Sequence, residues 1–104
     1  MNNWVEIGPF DEIPRQGARI MKTPFGNIGI FRTLDDEVFA LRDQCPHKGG
    51  PLSQGIVHGN RVTCPLHNWS IDLATGEAVA PDVGCTTRYD TKIEDGVVYL
   101  QLGR

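Results

Sequence analysis

The sequence lacks several features that would place it in other classes of protein. It has no apolar run approaching the roughly 20 residues needed to cross a membrane, and no basic segment followed by an apolar stretch at its start. It has no sustained apolar repeat with helical spacing and no Gly-x-Gly-x-x-Gly motif for a nucleotide cofactor. We therefore expect a soluble, cytoplasmic protein that is low in helix and has no membrane partner.

Positive charge is also scarce. The 104 residues include 10 Lys and Arg against 13 Asp and Glu, which gives a net charge of −3. This balance argues against binding to a phosphate backbone, so we expect no nucleic-acid partner. Hydrophobic residues make up 39% and charged residues 22%, as in ordinary folded domains. A chain of this length is expected to form a single domain over residues 1–104.

Glycine and proline are abundant instead, at 12 and 7 residues, and they separate short segments of alternating polarity. These segments are predicted strands: Trp4–Ile7, Ala18–Lys22, Asn27–Arg32, Glu37–Arg42, Arg88–Ile93 and Val97–Leu102. Repeated short strands favour an all-β fold, an antiparallel sandwich or barrel. The turn-rich segment 43–82 differs in character and holds all the histidines, so we expect it to be an inserted subdomain of loops around a site.

Cysteine occurs in an odd number, as Cys45, Cys64 and Cys85, which does not indicate a disulfide framework. Clustered cysteines and histidines in such a chain more often bind metal. The motifs are Cys45-x-His47 and Cys64-x-x-His67, in which a thiol and an imidazole are two or three residues apart. At this spacing both side chains can point to the same side of a tight turn. Two such loops facing each other would offer two sulfurs and two nitrogens to one centre.

The pairing of unlike ligands within each motif bears on the kind of metal. Mononuclear zinc accepts two Cys and two His, but its usual spacings group Cys with Cys and His with His. A mixed pair in each loop suits a binuclear iron–sulfur centre in which one iron takes both cysteines and the other both histidines. A zinc site, or two buried structural cysteines with incidental histidines, are the alternatives.

Through Cys45-x-His47 and Cys64-x-x-His67 the sequence resembles the Rieske-type iron–sulfur proteins. The likeness continues over residues 69–76 and at Pro81, which in that family lies on a loop covering the cluster. The resemblance implies a Rieske-like antiparallel β fold with a cluster-binding subdomain inserted near its middle. It also implies a 2Fe–2S cluster, with Cys45 and Cys64 on the inner iron and His47 and His67 on the outer iron.

The sequence departs from the high-potential members of that family at four positions. Those members have two further cysteines where this chain has Gly50 and Leu66, and a Ser and a Tyr where it has Trp69 and Ile71. Fewer hydrogen-bond donors to the cluster sulfurs stabilise the added electron less. The resemblance therefore implies a low-potential cluster.

Residues 45–59 and 64–69 also resemble the small subunits of assimilatory NAD(P)H-dependent nitrite reductases. This resemblance implies an electron-transfer role and a partner, a large flavin- and siroheme-containing subunit that reduces nitrite to ammonia. The chain would be an oxidoreductase subunit without catalytic residues of its own. The alternative is a free-standing Rieske ferredoxin of a ring-hydroxylating oxygenase system.

Several conspicuous residues lie outside the ligand set. We expect His58 in an exposed loop, Cys85 as a small buried or half-exposed hydrophobic residue, and Asp35-Asp36 in a turn. Trp69 is expected to shield the cluster or face a partner, or else to pack under its loop. We expect a docking partner to cover the tip of the two loops, with three residues in or near the interface: Lys48, Leu66 and Trp69.

Overall fold

The computed structural model describes residues 4–24, 26–45, 50–65, 69–79 and 83–101. These residues form nine strands, numbered in chain order: β1 Trp4–Pro9, β2 Gly17–Thr23, β3 Gly26–Arg32, β4 Val38–Arg42, β5 Ile56–His58, β6 Arg61–Thr63, β7 Ser70–Asp72, β8 Arg88–Glu94 and β9 Val97–Gln101. Two short 3-10 helices, η1 (Phe10–Glu12) and η2 (Leu52–Gln54), complete the described elements. No helix in the described part of the chain is long and apolar enough to cross a membrane.

The larger sheet is a curled antiparallel half-barrel with strand order β1-β9-β8-β4-β3-β2. Two tight turns shape it, and both lie in the gaps between the strands predicted from the sequence. Gly26 (φ +123°) ends the turn between β2 and β3, and Asp95 (φ +53°) with Gly96 (φ +77°) forms the turn between β8 and β9. Two successive positive φ angles match the right-handed twist of hairpin strands. The predicted all-β antiparallel fold is confirmed.

Alternation along β3 and β4 places two apolar cores on opposite faces of this sheet. Ile30 and Ala40 belong to the core that fills the half-barrel. Their neighbours Phe31 and Leu41 point the other way and are fully buried in a second core. Successive side chains in a strand alternate between the faces, so one hairpin serves both cores. The second core is the one that contains Cys45 and Cys64.

The inserted segment contains a small sheet as well as the predicted loops. Strands β5, β6 and β7 pair antiparallel in that order, and their central residues Val57, Val62 and Ile71 are buried in the second core. Each strand has only three residues, which is too short for an alternation pattern to stand out between so many turn residues. The small sheet therefore holds the inserted segment against the half-barrel.

The predicted turn at Asp35-Asp36 is confirmed, and it carries a network that the sequence did not indicate. Asp36 has φ +65°, and its amide donates to the carbonyl of Thr33 at 3.0 Å. The buried guanidinium of Arg32 donates to Asp36 Oδ1 at 2.9 Å and to the carbonyl oxygen of Ile13 at 2.8 Å. This network ties the β3–β4 turn to the segment after η1.

We predict that Asp36 contributes to the acid sensitivity of the fold. Hydrogen bonding by Arg32 lowers the pKa of the Asp36 carboxyl below the ordinary 3.8; desolvation opposes this in part, and hydrogen bonding by Arg15 lowers the pKa further. The contribution is complete above the ordinary pKa and is lost as pH falls through the lower, folded-state pKa. The melting temperature, measured from neutral to strongly acidic pH, should fall less steeply with pH in Asp36→Asn than in the wild type. Identical slopes would contradict the assignment.

Candidate metal centre

The structure brings two of the four predicted ligands into one core. Cys45 is 3% exposed and Cys64 is 1% exposed, and both pack in the second core. Cys64 directly follows β6, and Cys45 lies shortly after the end of β4. His47 and His67 lie outside the described residues, as do Lys48, Leu66 and Pro81.

Both motifs begin at a backbone hydrogen bond of the same kind. The amide of Cys45 donates to the carbonyl oxygen of Gly50 at 2.7 Å, and the amide of Cys64 donates to that of Trp69 at 2.6 Å. Each bond joins a cysteine to the fifth residue after it, so the chain returns to the cysteine after passing the predicted histidine. Two loops of equal span are therefore closed at their cysteines, and both closures lie at one apolar core.

The residues under the loops are apolar. Leu52 in η2, Val62 in β6 and Ile71 in β7 are fully buried in the same core as the two cysteines. Trp69 is partly buried and packs against this core, in agreement with the expectation that it packs under its loop. The side chain of Ile71 has no hydrogen-bond donor, whereas the sequence comparison places a tyrosine at this position in high-potential Rieske proteins. These surroundings keep water from the cysteine side of the loops.

The donor chemistry of the two loops fits an iron–sulfur group. Thiolates are the protein ligands that such clusters use, and imidazoles replace two of them in the mixed type. Two buried cysteines on separate closed loops supply the thiolate half of this set. Among the described residues, no group of three or more His, Cys, Asp and Glu side chains could hold a metal ion. The full set of four ligands stays a prediction.

Two other conspicuous residues differ from expectation. Cys85 is exposed, so its predicted burial or half-burial was wrong. It forms an isolated bridge opposite Glu77, and a bridge at the surface leaves its side chain in solvent. His58 is exposed as expected but ends strand β5 instead of lying in a loop, and its Nε2 is 2.7 Å from Thr63 Oγ1.

Comparison with known proteins identifies the family by sequence. Residues 3–90 match the Rieske [2Fe-2S] domain family. The anthranilate 1,2-dioxygenase ferredoxin subunit of Burkholderia cepacia is 35% identical over 101 residues, which cover 96% of this chain and 93% of that protein. The 3-phenylpropionate/cinnamic acid dioxygenase ferredoxin subunit of Photorhabdus laumondii is 37% identical over 93 residues, 86% of each chain.

Solved structures share the fold over nearly the whole chain. The ferredoxin of carbazole 1,9a-dioxygenase from Nocardioides aromaticivorans has a TM-score of 0.87 at 21% identity, covering 97% of this chain and 99% of that one. A protein assigned as the NADH-dependent nitrite reductase small subunit of Mycobacterium tuberculosis has a TM-score of 0.88 at 18% identity, covering 100% and 98%. At these identities the likeness shows the fold alone. By its family match and its sequence relatives, the chain belongs to the Rieske [2Fe-2S] domain family, whose cofactor is a Rieske-type 2Fe–2S cluster.

Proposed function

We propose that this chain is a one-electron carrier that delivers electrons to a larger redox enzyme. The observation that carries the proposal is the pair of buried cysteines, Cys45 and Cys64, at two backbone-closed loops on one apolar core. The cluster, when bound, supplies a one-electron redox couple. The chain's own residues hold it, exclude water from its protein side and present the loops to a partner.

We assign the ligands as Cys45, His47, Cys64 and His67. The burial of both cysteines supports the assignment of the thiolates to the inner iron. The histidines follow the cysteines within loops that close on them, which supports their assignment to the second iron. A low reduction potential belongs to the same proposal, because the side chain of Ile71 has no hydrogen-bond donor to offer a cluster sulfur.

The first candidate role is the small subunit of an assimilatory NAD(P)H-dependent nitrite reductase, in the cytoplasm. It rests on the likeness of residues 45–59 and 64–69 to such subunits. The partner would be the large flavin- and siroheme-containing subunit that reduces nitrite to ammonia. This chain would then take part in the reaction without holding substrate.

The second candidate role is a ferredoxin of a ring-hydroxylating oxygenase system. Ferredoxin subunits of dioxygenases at 35% and 37% identity, matched over most of both chains, favour this role. In that case the partner would be an oxygenase component and its reductase.

Reconstitution with the two kinds of partner separates the candidates. The cluster-loaded chain is added to a large flavin–siroheme subunit with NAD(P)H and nitrite, and in parallel to an oxygenase component with its reductase. The first role predicts ammonia formation that rises and saturates with added chain, and no stimulation of the oxygenase. The reverse pattern would establish the second role, and no electron transfer to either partner would contradict the carrier proposal.

Two variants locate the docking face in whichever system responds. Lys48→Glu and Leu66→Asp alter the two loops, so they should slow turnover at limiting chain concentration while the visible absorbance stays unchanged. Charge changes at an interface act mainly on association. The matched control is Lys92→Glu on the half-barrel strand β8, which should keep full turnover. Full turnover by both loop variants would place the docking face elsewhere.

A further inference from the structure

The two metal-binding loops are braced differently. The second loop, residues 64–69, closes a hairpin, because β6 and β7 pair on either side of it with Thr63 opposite Ser70. Among the described residues, no pair of strands flanks the first loop, residues 45–50: β4 ends at Arg42, and the next described element is the short helix η2. Contacts other than strand pairing must therefore hold the first loop against the half-barrel.

The side chain of Asp43 makes that connection. Its Oδ1 accepts a hydrogen bond from the amide of Ser53 at 2.6 Å, and its Oδ2 accepts one from the hydroxyl of Ser53 at 2.7 Å. Both bonds are short and span ten residues of sequence, from just before Cys45 to a point beyond the loop. Hydrogen bonds to a carboxylate are roughly twice as strong as those between neutral groups.

Each end of this link is itself anchored. Ser53 lies in η2, next to Leu52, which is fully buried in the same core as Cys45 and Cys64. At the other end, the amide of Asp43 donates to the carbonyl oxygen of Asn27 at 2.9 Å, which fastens Asp43 to β3. The link therefore joins the half-barrel to helix η2, which is anchored by the buried Leu52, across the base of the first loop.

We propose that Asp43 is the positioning residue of the first metal-binding loop, acting through Ser53. Its carboxylate holds the first loop as the β6–β7 pairing holds the second, and it sets the position from which Cys45 binds iron. The proposal rests on the ligand set assigned above. Groups that hydrogen-bond a metal ligand directly typically change metal affinity about 10- to 100-fold when removed. Asp43 acts one bond further out, through Ser53, so we expect an effect at the lower end of this range.

The test compares variants of the cluster-loaded protein. Asp43→Ala removes both hydrogen bonds and Ser53→Ala removes one, whereas Ser53→Thr keeps both the hydroxyl and the amide. The matched control is Asp72→Ala, because Asp72 also accepts a backbone hydrogen bond, from Ala74 at 2.8 Å, within the inserted segment but outside both loops. Iron release to a chelator and the reduction potential are measured for each variant.

Asp43→Ala should release iron about 10-fold faster than the wild type, with a smaller increase in Ser53→Ala. Its reduction potential should rise, since a negative charge beside the loop is removed. Ser53→Thr and Asp72→Ala should match the wild type in both measurements. If Asp43→Ala does not fold, the difference between Ser53→Ala and Ser53→Thr decides the matter.

Two results would overturn the proposal. One is an unchanged release rate and potential in Asp43→Ala, or in Ser53→Ala where the former does not fold. The other is an equal change in Asp72→Ala, which would show a general loosening of the inserted segment. Failure of the proposed function is distinguishable, because the wild-type protein would then transfer no electrons to either partner, whereas its iron release and reduction potential could still be compared with those of the variants.

Discussion

Replacement of Cys64 by serine is expected to abolish the visible absorbance of the cluster. The thiol is 1% exposed and lies among apolar side chains, so no water can take its place as a ligand. A serine hydroxyl is a poor ligand for iron in such a centre, because these clusters are held by soft thiolates. The same loss is expected for Cys45→Ser, at 3% exposure. Iron content and visible absorbance after purification measure the effect.

The cysteine variants should also lose stability. In Cys64→Ser, a hydroxyl buried among apolar side chains costs about 1–3 kcal/mol, in addition to the loss of the bound cluster that both variants share. The matched control is Cys85→Ser, because Cys85 is exposed and lies outside both loops. This variant should retain full absorbance and the melting temperature of the wild type. Loss of the cluster in Cys85→Ser together with its retention in Cys64→Ser would reverse the ligand assignment.

Addition of a single methyl group at Gly55 is expected to disrupt the inserted segment. A Cβ at this position would overlap the carbonyl oxygen of Thr63 and lie 3.1 Å from that of Leu52. Both obstacles are backbone atoms, and Thr63 is held in β6 by pairing with Ile56 and Ser70. Gly55 has φ −85°, an ordinary value for any residue, so the effect of Gly55→Ala is steric alone.

Overpacking of this kind costs about 1–3 kcal/mol, and each kcal/mol lowers the melting temperature of a domain this size by about 4–8 °C. Because Thr63 directly precedes Cys64, Gly55→Ala should also reduce iron content. Gly59→Ala is the matched control: nothing lies within 4 Å of its Cβ, and only its φ of +56° opposes a side chain. That strain costs about 1–2 kcal/mol and should leave iron content unchanged. A normal iron content in Gly55→Ala would contradict the predicted clash.

The half-barrel could be predicted from sequence because its strands are long enough to show their periodicity. In β3 and β4, alternate residues such as Ile30 and Phe31 enter different cores, and the turns at Gly26 and Gly96 mark the hairpins. The strands β5 to β7 have three residues each, and this length carries no periodic signal. Their pairing depends on burial of Val62 and Ile71 against the half-barrel, which is a tertiary effect.

The candidate site could be predicted only where its ligands form short sequence motifs. The spacing of Cys45 and Cys64 from their histidines indicated a metal centre, and the structure places both cysteines in one core. The link between Asp43 and Ser53 has no such signature, because it joins residues on opposite sides of the loop. The predicted burial of Cys85 was wrong for a related reason. Its residue type alone does not determine whether a side chain in a β-bridge points to the core or to solvent.

Binding of the cluster by two cysteines and two histidines is tested most directly by pulsed EPR of the one-electron-reduced protein labelled with ¹⁵N in histidine alone. We expect strong coupling of the unpaired electron to two histidine nitrogens, one from His47 and one from His67. His58→Asn should leave this spectrum unchanged, since His58 is directed to Thr63 on β6. Coupling to no histidine nitrogen, or its loss in His58→Asn, would contradict the proposed ligand set.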